Sequence, residues 1–189
     1  MKIYITTYNR LFNQRTLFQL PPHIRKQVVL ITQDREWYAH WYEYAGQVYD
    51  IRPLPEVVRN LGDTRRTLVE WQEDQKIVLL DDDLEFYWRP DSADWHLRGP
   101  GPQEYDQMFE EIELALDHYA HVGLSGREGN NYTESYATES TRYMRAFAYR
   151  SDIVKYVEHG RLNGMSDFDV NLQLLRKGYP SLVFYRWAQ

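Results

Sequence analysis

The chain has 189 residues, of which 43% are hydrophobic and 26% are charged, and it contains no cysteine. This length and composition are typical of one soluble globular domain and exclude a disordered chain. The lack of cysteine excludes disulfides, thiolate zinc sites, thiol nucleophiles and cysteine-ligated iron–sulfur clusters, and it fits a cytoplasmic location. The net charge of −6 argues against a protein that coats nucleic acid indiscriminately. No apolar run approaches the ~18 residues of a membrane span, so no membrane partner is expected.

Short apolar segments alternate with helix-like segments along the chain, which is typical of an α/β sheet with crossover helices. In chain order, the predicted strands are residues 2–5, 28–31, 47–51, 76–80, 143–149 and 182–187. The predicted helices are residues 11–20, 34–44, 63–74, 105–119 and 166–177. Residues 89–102 and 125–141 are predicted to be loops, the second of them mobile.

The runs at 28–31 and 76–80 are continuously apolar, as expected of parallel strands that are buried on both faces. We therefore predict a single α/β domain over residues 1–189, with a mostly parallel, Rossmann-like sheet flanked by helices. The chain stops just after the last predicted strand. Two alternatives remain open: a C-terminal tail beyond Gln189 in the natural protein, or an end at this residue.

Three consecutive aspartates, Asp81, Asp82 and Asp83, follow the predicted strand 76–80. Open parallel sheets bind ligands beyond the carboxyl ends of their strands. Side chains alternate along an extended segment, which would direct Asp81 and Asp83 to the same side. Two carboxylates there suit Mg²⁺ or Mn²⁺, and such an ion would neutralise a diphosphate leaving group. The alternative is that the acids cap a turn and face water.

The first predicted strand leads into small hydroxyl residues followed by asparagine and arginine, in the order Thr6-Thr7-Tyr8-Asn9-Arg10. At the end of a first strand, side chains of this kind can hydrogen-bond a nucleotide base and ribose. Taken alone, the same residues are also typical of a strand end followed by a helix cap.

A glycine, Gly62, stands just before the predicted helix 63–74, and Arg65 and Arg66 follow in its first turn. Glycine allows the backbone to approach a ligand closely, and the amino end of a helix favours anions. Either arginine could bind a phosphate with its forked guanidinium. The alternative is a solvated arginine on a surface helix.

The segment Ser166-Asp167-Phe168-Asp169 resembles a capping box in which aspartate replaces the usual glutamate or glutamine. This pattern predicts a helix start at Ser166, with Asp169 as its partner in the box. Asp167 would then point outward into a cleft, where it could act as a general base.

Aromatic residues are frequent, with 16 tyrosines, 6 tryptophans and 7 phenylalanines. Tyr132 and Tyr136 fall in the polar loop 125–141, and Arg127 and Arg142 are near them in sequence. Exposed rings interleaved with basic groups can stack on sugars or on bases that have left a duplex. The six histidines lack the spacing of metal ligands, so we interpret them as mostly structural.

Taken in order, these motifs resemble those of the GT-A glycosyltransferases. The resemblance rests on Thr-Thr-Tyr-Asn-Arg, Gly-x-x-Arg-Arg, Leu-Asp-Asp-Asp and Ser-Asp-Phe-Asp-Val, and it covers residues 1 to about 185. The run Asp-Asp-Asp-Leu-x-Phe looks like the narrower family of phage TET-associated glycosyltransferases. That family is thought to glycosylate 5-hydroxymethylpyrimidines in phage DNA.

The resemblance implies a metal-dependent glycosyltransferase with a GT-A-like fold and a nucleotide-sugar co-substrate, a UDP-sugar above all. The acidic triplet matches the Asp-x-Asp motif, which implies Asp83 as the main ligand of Mn²⁺ or Mg²⁺ and Asp81 as a ligand of the metal or the ribose. Asp167 matches the base of inverting members, with Ser166 in place of the usual glutamate. The residues implied to bind the donor nucleotide are Thr6, Tyr8, Arg10, Arg65, Asp81 and Asp82.

The implied acceptor is DNA carrying hydroxymethylated bases such as 5-hydroxymethylcytosine, in a host cytoplasm. The residues expected to bind it are Arg127, Tyr132, Tyr136 and Arg142. Net charge does not exclude this partner, because twelve of the acidic side chains fall in residues 81–117, outside that region. Two alternatives remain: a saccharide or protein acceptor, and a non-catalytic nucleotide-sugar-binding module. The module is favoured by the lack of any histidine after His159, where superfamily members often place a metal ligand.

Overall fold

The computed structural model describes residues 1–58, 60–71, 75–90, 96–129, 135–162 and 164–189. Its strands are β1 (Lys2–Thr6), β2 (Val28–Gln33), β3 (Asp50–Leu54), β4 (Lys76–Asp81), β5 (Tyr87–Trp88), β6 (His121–Ser125), β7 (Ala137–Glu139), β8 (Ala146–Arg150) and β9 (Ser181–Ala188). They form one sheet in the order β3-β2-β1-β4-β8-β6-β9-β5, and β7 pairs with β9. Strands β1, β2, β3, β4, β6 and β9 run in one direction and the other three run in the opposite one. The prediction of a mostly parallel sheet is confirmed.

Helices cover both faces of this sheet. They are α1 (Arg15–Gln19), α2 (Pro22–Arg25), α3 (Trp37–Tyr44), α4 (Leu61–Trp71), α5 (Pro102–Ala115), α6 (Ser151–Val154) and α7 (Ser166–Arg176). Alternate residues of a strand pack on opposite faces, so Ile3 and Ile5 join one buried cluster and Tyr4 joins the other. Helices α1, α2, α3 and α5 contribute to the first cluster, and α4, α6 and α7 contribute to the second.

Predicted and observed strands agree where the apolar run is continuous. The predictions at 2–5, 28–31, 76–80 and 182–187 correspond to β1, β2, β4 and β9, each to within two residues at either end. The helices predicted at 34–44, 63–74, 105–119 and 166–177 correspond to α3, α4, α5 and α7, although α3 begins only at Trp37 and α5 ends at Ala115, and residues 72–74 lie outside the described part of the chain. Among these, α5 begins earlier than predicted, at Pro102, because proline suits the first helical position and Glu104 Oε2 accepts from the Gly101 N–H at 2.9 Å.

The helix predicted over 11–20 is wrong except for Arg15–Gln19. The chain before α1 turns instead, because Gln14 Nε2 donates both to Thr7 Oγ1 at 2.7 Å and to the Arg10 carbonyl at 2.8 Å. Pro22 then begins the short helix α2, whose first residue has no need of an N–H donor.

The third strand lies three residues later than the predicted span 47–51, at Asp50–Leu54. Gly46, with a φ of 87°, extends the turn that follows α3 and delays the start of pairing. Parallel pairing with β2 begins at Val29 and Asp50. Pro53 is accommodated because β3 is the edge strand of the sheet.

The sequence pattern does not predict β5, β6 or β7. Strand β6 is fully buried, but its apolar side chains, Val122 and Leu124, make too short an alternation to indicate a strand. The mobile loop predicted over 125–141 is wrong for Ala137–Glu139, because β7 pairs with β9 there. Residues 130–134 of that loop lie outside the described part of the chain.

The strand predicted over 143–149 begins only at Ala146. Tyr143 lies across Gly123 instead of pairing: a Cβ added to Gly123 would come within 2.2 Å of the Tyr143 Cβ. Arg145, with a φ of 63°, then redirects the chain into β8. A close approach of this kind between distant residues has no local sequence signal.

Candidate active site

A cavity of about 440 Å³ opens at the carboxyl edge of the sheet, where β1, β2, β3 and β4 end side by side. Thr6, the last residue of β1, is the register partner of Asp81, the last residue of β4. The cavity is lined by Thr6, Thr7, Tyr8, Arg10, Ile31, Gln33, Leu54, Asn60, Leu61, Thr64, Asp81, Asp82 and Asp83. Open parallel sheets bind their ligands at this position.

Most of the residues predicted to bind the donor nucleotide meet at this cavity. They are Thr6, Tyr8, Arg10, Asp81 and Asp82. Asp83, the predicted main metal ligand, lines it as well. Arg65 is not among the lining residues and is only 4% exposed. The fold therefore brings the predicted donor residues together, with Arg65 behind the cavity wall.

The acidic triplet has a counterion within the protein, Arg10. Its Nη1 donates to Asp82 Oδ1 at 2.9 Å and lies 2.7 Å from Asp83 Oδ2. Asp82 is buried, whereas the side chain of Asp83 is 44% exposed. The repulsion among the three carboxylates, which requires a compensating cation, is thus partly offset by an arginine.

Asp81, at the end of β4, is partly buried and lines the cavity. Its pKa is raised from 3.8 to about 6, chiefly because burial disfavours the charged form. The positive charge of Arg65 opposes this rise in pKa, and the negative charges of Asp83, Asp167 and Asp82 add to it. Among the described residues, the Asp81 carboxylate makes no hydrogen bond or ion pair, so it is available to a cation or to a hydroxyl of a ligand.

The oxygen ligands at this edge suit a hard divalent cation in combination with a phosphate ligand. Asp81 and Asp83 offer carboxylate oxygens on the same cavity. In the part of the chain that the structure describes, no three His, Cys, Asp or Glu side chains are grouped so as to hold a metal ion. Mg²⁺ is commonly held by one or two carboxylates together with phosphate oxygens and water. The residues present therefore fit a cation whose coordination a diphosphate completes.

Helix α1 fixes the backbone of the acidic triplet. Thr16 Oγ1 donates to the Asp81 carbonyl at 2.6 Å and accepts from the Leu84 N–H at 2.8 Å. The Thr16 N–H also donates to the Asp82 carbonyl, at 3.1 Å. Thr16 has no local sequence signal for this role, because its contacts join segments more than 60 residues apart.

The amino end of α4 forms a second wall of the cavity. Asn60 caps this helix, since its Oδ1 accepts from the Asp63 N–H at 2.9 Å and its Nδ2 donates to Asp63 Oδ2 at 2.8 Å. Asn60 and Thr64 line the cavity and were not predicted, although an Asn-x-x-Asp pattern is a recognisable helix start. Gly62 packs directly on Gly160, because an added Cβ would lie 2.4 Å from the Gly160 Cα.

Asp167, the predicted base, is placed at the start of α7 and beside Arg65. Asp167 Oδ2 lies 3.9 Å from Arg65 Nη2, and Asp167 Oδ1 accepts from the Phe168 N–H at 3.1 Å. The Asp167 side chain is only 12% exposed and is not among the residues that line the cavity, contrary to the prediction that it points outward into a cleft. Because Arg65 also acts electrostatically on Asp81, one buried cation serves both the triplet and the predicted base.

The capping box predicted at Ser166 and Asp169 is wrong. Met165, with a φ of 54°, occupies the N-cap position, and no side chain caps the helix there. Ser166 Oγ instead accepts a hydrogen bond from Arg65, and the Asp169 carboxylate pairs with Arg161. Local spacing cannot distinguish these distant partners from a cap.

The described residues predicted to bind an acceptor each contact a different aromatic or basic partner. The Arg127 guanidinium lies 4.3 Å above the Tyr87 ring, and the half-exposed Tyr136 ring lies 5.2 Å from the Arg186 guanidinium. Arg142 lies 5.7 Å from the ring of Phe168, next to Asp167 in sequence. Tyr132 lies outside the described residues.

Solved structures share this fold at low sequence identity. S. aureus TarS in complex with UDP-GlcNAc has a TM-score of 0.61 and 15% identity, over 100% of this chain and 57% of that chain. The mannosyltransferase PcManGT from Pyrobaculum calidifontis, in complex with GDP-Man and Mn²⁺, has a TM-score of 0.59 and 13% identity, over 96% of this chain and 55% of that chain. This chain thus spans little more than half the length of these proteins. The fold is that of the GT-A glycosyltransferases.

Sequence comparison gives the family. The TET-associated glycosyltransferase family matches residues 1–189, the whole of the chain. The chain therefore belongs to the TET-associated glycosyltransferase family, as its motifs implied. No curated protein matches it in sequence.

Among the helices that the structure describes, none has the length and apolar character required to cross a membrane.

Proposed function

We propose that this protein is a metal-dependent glycosyltransferase that moves a sugar from a nucleotide-sugar donor to a hydroxymethylated base of phage DNA. The observation that carries the proposal is the meeting of the β1 loop and the acidic triplet at one cavity, in a chain of this family. A nucleotide needs hydrogen-bonding side chains for its base and ribose, and its diphosphate needs a cation. The cavity offers Thr6 and Tyr8 for the first requirement and Asp81 and Asp83 for the second.

On the donor side, Asp83 is the main ligand of a Mn²⁺ or Mg²⁺ ion, and Asp81 binds the metal or the ribose. Thr6, Tyr8, Arg10 and Asp82 hold the nucleotide. The bound cation supplies charge neutralisation of the diphosphate as it leaves. A UDP-sugar is the expected donor, and GDP-sugars are the next to test, because similar structures hold UDP-GlcNAc and GDP-Man.

On the acceptor side, Asp167 is the general base. It deprotonates the attacking hydroxyl while that oxygen approaches the anomeric carbon opposite the diphosphate, which inverts the configuration at that carbon. For a DNA acceptor, the hydroxyl belongs to a flipped 5-hydroxymethyl base such as 5-hydroxymethylcytosine. Arg127, Tyr136 and Arg142 are the described candidates to bind this DNA, in a host cytoplasm.

The acceptor and the nucleotide sugar can be identified by one assay. DNA carrying 5-hydroxymethylcytosine is incubated with Mn²⁺ and a panel of UDP- and GDP-sugars, and its nucleosides are then analysed by mass spectrometry. We expect a gain of one sugar mass, with unmodified cytosine DNA as the control. Transfer to a saccharide or protein but not to DNA would replace the DNA acceptor, and no turnover with any acceptor would favour a non-catalytic binding module.

Binding of the DNA can be tested separately by its salt dependence. A protein that contacts phosphates loses affinity for DNA steeply as salt concentration rises, because counterions are released on binding. We expect such a decline for duplex DNA. Affinity that is absent or independent of salt would count against DNA as the acceptor.

Two variants test the roles of the carboxylates. Asp83→Asn should abolish both metal-dependent donor binding and turnover. Asp106→Asn removes a carboxylate of similar exposure that is paired with His23, and it should leave both unchanged. Asp167→Asn should lower kcat by about 10²–10⁴-fold, the usual contribution of a general base, and leave binding of UDP intact. If Asp83→Asn retained both metal-dependent donor binding and turnover, the proposed metal site would be wrong.

A further inference from the structure

Arg65 is a buried arginine of α4 that does not line the cavity. It is 4% exposed, although arginine is almost never buried without a partner. Its neighbour Arg66 differs: that side chain is 46% exposed and pairs with Asp63 at 3.0 Å. Both arginines lie in α4, so their different exposure arises from the different surroundings of the two side chains.

Three contacts hold the Arg65 guanidinium. Nη1 donates to Ser166 Oγ, Nη2 lies 3.9 Å from Asp167 Oδ2, and the group lies 4.9 Å from the centre of the Phe147 ring. A guanidinium is well suited to this environment, because it is planar, carries its charge permanently and stacks on aromatic faces. Two of these contacts are made with the first residues of α7, Ser166 and Asp167.

We infer that Arg65 is a positioning residue for Asp167: it fixes the direction of that carboxylate instead of binding the donor diphosphate. The inference rests on the proposed role of Asp167 as the base. The Asp167 carboxylate is held from two sides, by the Phe168 N–H at Oδ1 and by Arg65 at Oδ2. A general base must lie within hydrogen-bond reach of the proton that it removes. The separation of 3.9 Å is longer than a hydrogen bond, so Arg65 acts on Oδ2 through its charge, on the side of the carboxylate that the Phe168 N–H does not contact.

The two roles predict different kinetics. A ligand of the diphosphate contributes to donor binding, so its loss raises the KM for the donor and weakens the binding of UDP. Loss of a positioning residue lowers kcat and leaves both values near those of the wild type. A misplacement of about 1 Å costs on the order of 100-fold in rate.

The experiment compares Arg65→Gln, Arg65→Lys and the matched control Arg66→Gln. Transfer from UDP-GlcNAc or GDP-mannose, whichever proves active, is measured on 5-hydroxymethylcytosine DNA, and UDP or GDP binding is measured by calorimetry. We expect kcat to fall on the order of 100-fold in Arg65→Gln with nucleotide affinity unchanged. Arg65→Lys should recover part of the loss, and Arg66→Gln should match the wild type. Weaker nucleotide binding with unchanged kcat, or full activity of Arg65→Gln, would overturn the inference.

A double-mutant cycle separates this inference from the proposal beneath it. If Arg65 acts through Asp167, then Arg65→Gln should lower kcat in the wild-type background and cause no further loss in Asp167→Asn. Equal losses in both backgrounds would mean that Arg65 acts elsewhere. If Asp167→Asn itself were fully active, the proposed base would be wrong, whatever Arg65→Gln does.

A third variant tests whether the effect of Arg65→Gln is only a loss of folding. Ser166→Ala removes the partner of Arg65 Nη1 without burying an uncompensated charge, so it should fold and show a smaller fall in kcat at unchanged nucleotide affinity. Retained calorimetric binding of UDP or GDP reports that each variant is folded. A Ser166→Ala enzyme that is fully active, beside an Arg65→Gln protein that binds no nucleotide, would assign Arg65 a purely structural role.

Discussion

Arg10 Nη1 lies 2.7 Å from Asp83 Oδ2, so an arginine forms an ion pair with the carboxylate that we propose as the main metal ligand. The same nitrogen bonds Asp82 Oδ1 at 2.9 Å. Arg10 is itself a proposed donor-binding residue on the loop after β1. Binding of metal and donor would therefore break the contact between Arg10 and Asp83. The metal would bind the Asp83 carboxylate, and the diphosphate would attract the Arg10 guanidinium.

This contact predicts that Arg10→Gln binds Mn²⁺ more tightly in the absence of nucleotide. The gain should be up to about fivefold, because a partly exposed ion pair contributes about 1 kcal/mol at most. Calorimetric titration with Mn²⁺ alone measures it. Arg15→Gln, at an exposed arginine paired with Glu85, is the control and should bind Mn²⁺ as the wild type does. Weaker Mn²⁺ binding by Arg10→Gln would contradict competition between the arginine and the metal.

Asp81 is expected to lower the stability of the fold when it is ionised. A carboxyl with a folded-state pKa raised from 3.8 to about 6 stabilises the fold at low pH and loses that contribution as pH rises through 6. Asp81→Asn should therefore raise the free energy of unfolding by about 1–3 kcal/mol at pH 8.

Urea denaturation without metal measures this difference. The gain from Asp81→Asn should disappear at pH 3.5, where the wild-type carboxyl is largely protonated in both states. Metal-dependent donor binding should be lost at the same time, so the variant would be more stable and inactive. A destabilised variant at pH 8 would show that ionised Asp81 is compensated by a partner.

Buried histidines predict a loss of stability in acid. His121 is fully buried between the Tyr143 hydroxyl and the Tyr179 carbonyl, and burial lowers its pKa from 6.5 to about 4. A carbonyl only accepts, so His121 Nε2 carries the proton and the ring is neutral. His159 is shifted in the same direction, also to about 4. Since the unfolded chain binds these protons first, stability should fall as pH decreases from 6.5 to 4.

The slope of stability against pH isolates His121. His121→Gln should be less stable than the wild type at pH 7, but its decline between pH 6.5 and 4.5 should be shallower, by up to about 1.4 kcal/mol per pH unit. Denaturation at pH 7.5 and 8.5, outside this window, serves as the reference, because the difference between the two proteins should be constant there. An unchanged slope would mean that His121 is not responsible.

The contact between Gly62 and Gly160 predicts a site at which a single methyl group is harmful. In Gly62→Ala, the new Cβ would meet Gly160 Cα at 2.4 Å and Gly160 N at 2.7 Å, so backbone must move. We expect a destabilisation of about 1–3 kcal/mol, typical of overpacking, and weaker nucleotide binding because α4 forms a wall of the cavity. Gly99→Ala, which has nothing within 4 Å, should show neither effect.

Much of the donor side of the site could be predicted from sequence, because local patterns carry it. Continuous apolar runs mark β1 and β4, and the polar residues after each run must then lie at the carboxyl edge. In the sheet these two strands are neighbours, and Thr6 and Asp81 are register partners at their ends. Thr16 and Asn60 also belong to this side of the site. They lie in α1 and just before α4, two helices whose bounds the sequence pattern predicted less accurately.

The surroundings of Asp167 could not be predicted in the same way. The Ser166 spacing indicates a cap, but the contacts made by Ser166 and Asp169 come from Arg65 and Arg161. Whether an arginine is solvated or buried depends on packing between distant segments, and no local pattern reports it. Strand β6 was missed for a related reason, because its position is set by β8 and β9 on either side.

The end of the chain has a practical consequence for handling the protein. The Gln189 N–H donates to the Ser125 carbonyl at 2.9 Å, and Gln189 Nε2 donates to the Met144 carbonyl at 3.2 Å. The next residue, Arg145, accepts through its carbonyl from the Asp81 N–H at 3.1 Å. Residues joined after Gln189 would therefore start near the backbone that pairs with Asp81, at the edge of the sheet where the cavity opens. Residues joined before Met1 would start at the opposite edge, where β1 begins, so a metal-binding tag placed there keeps its own ligands away from the acidic triplet during metal titrations.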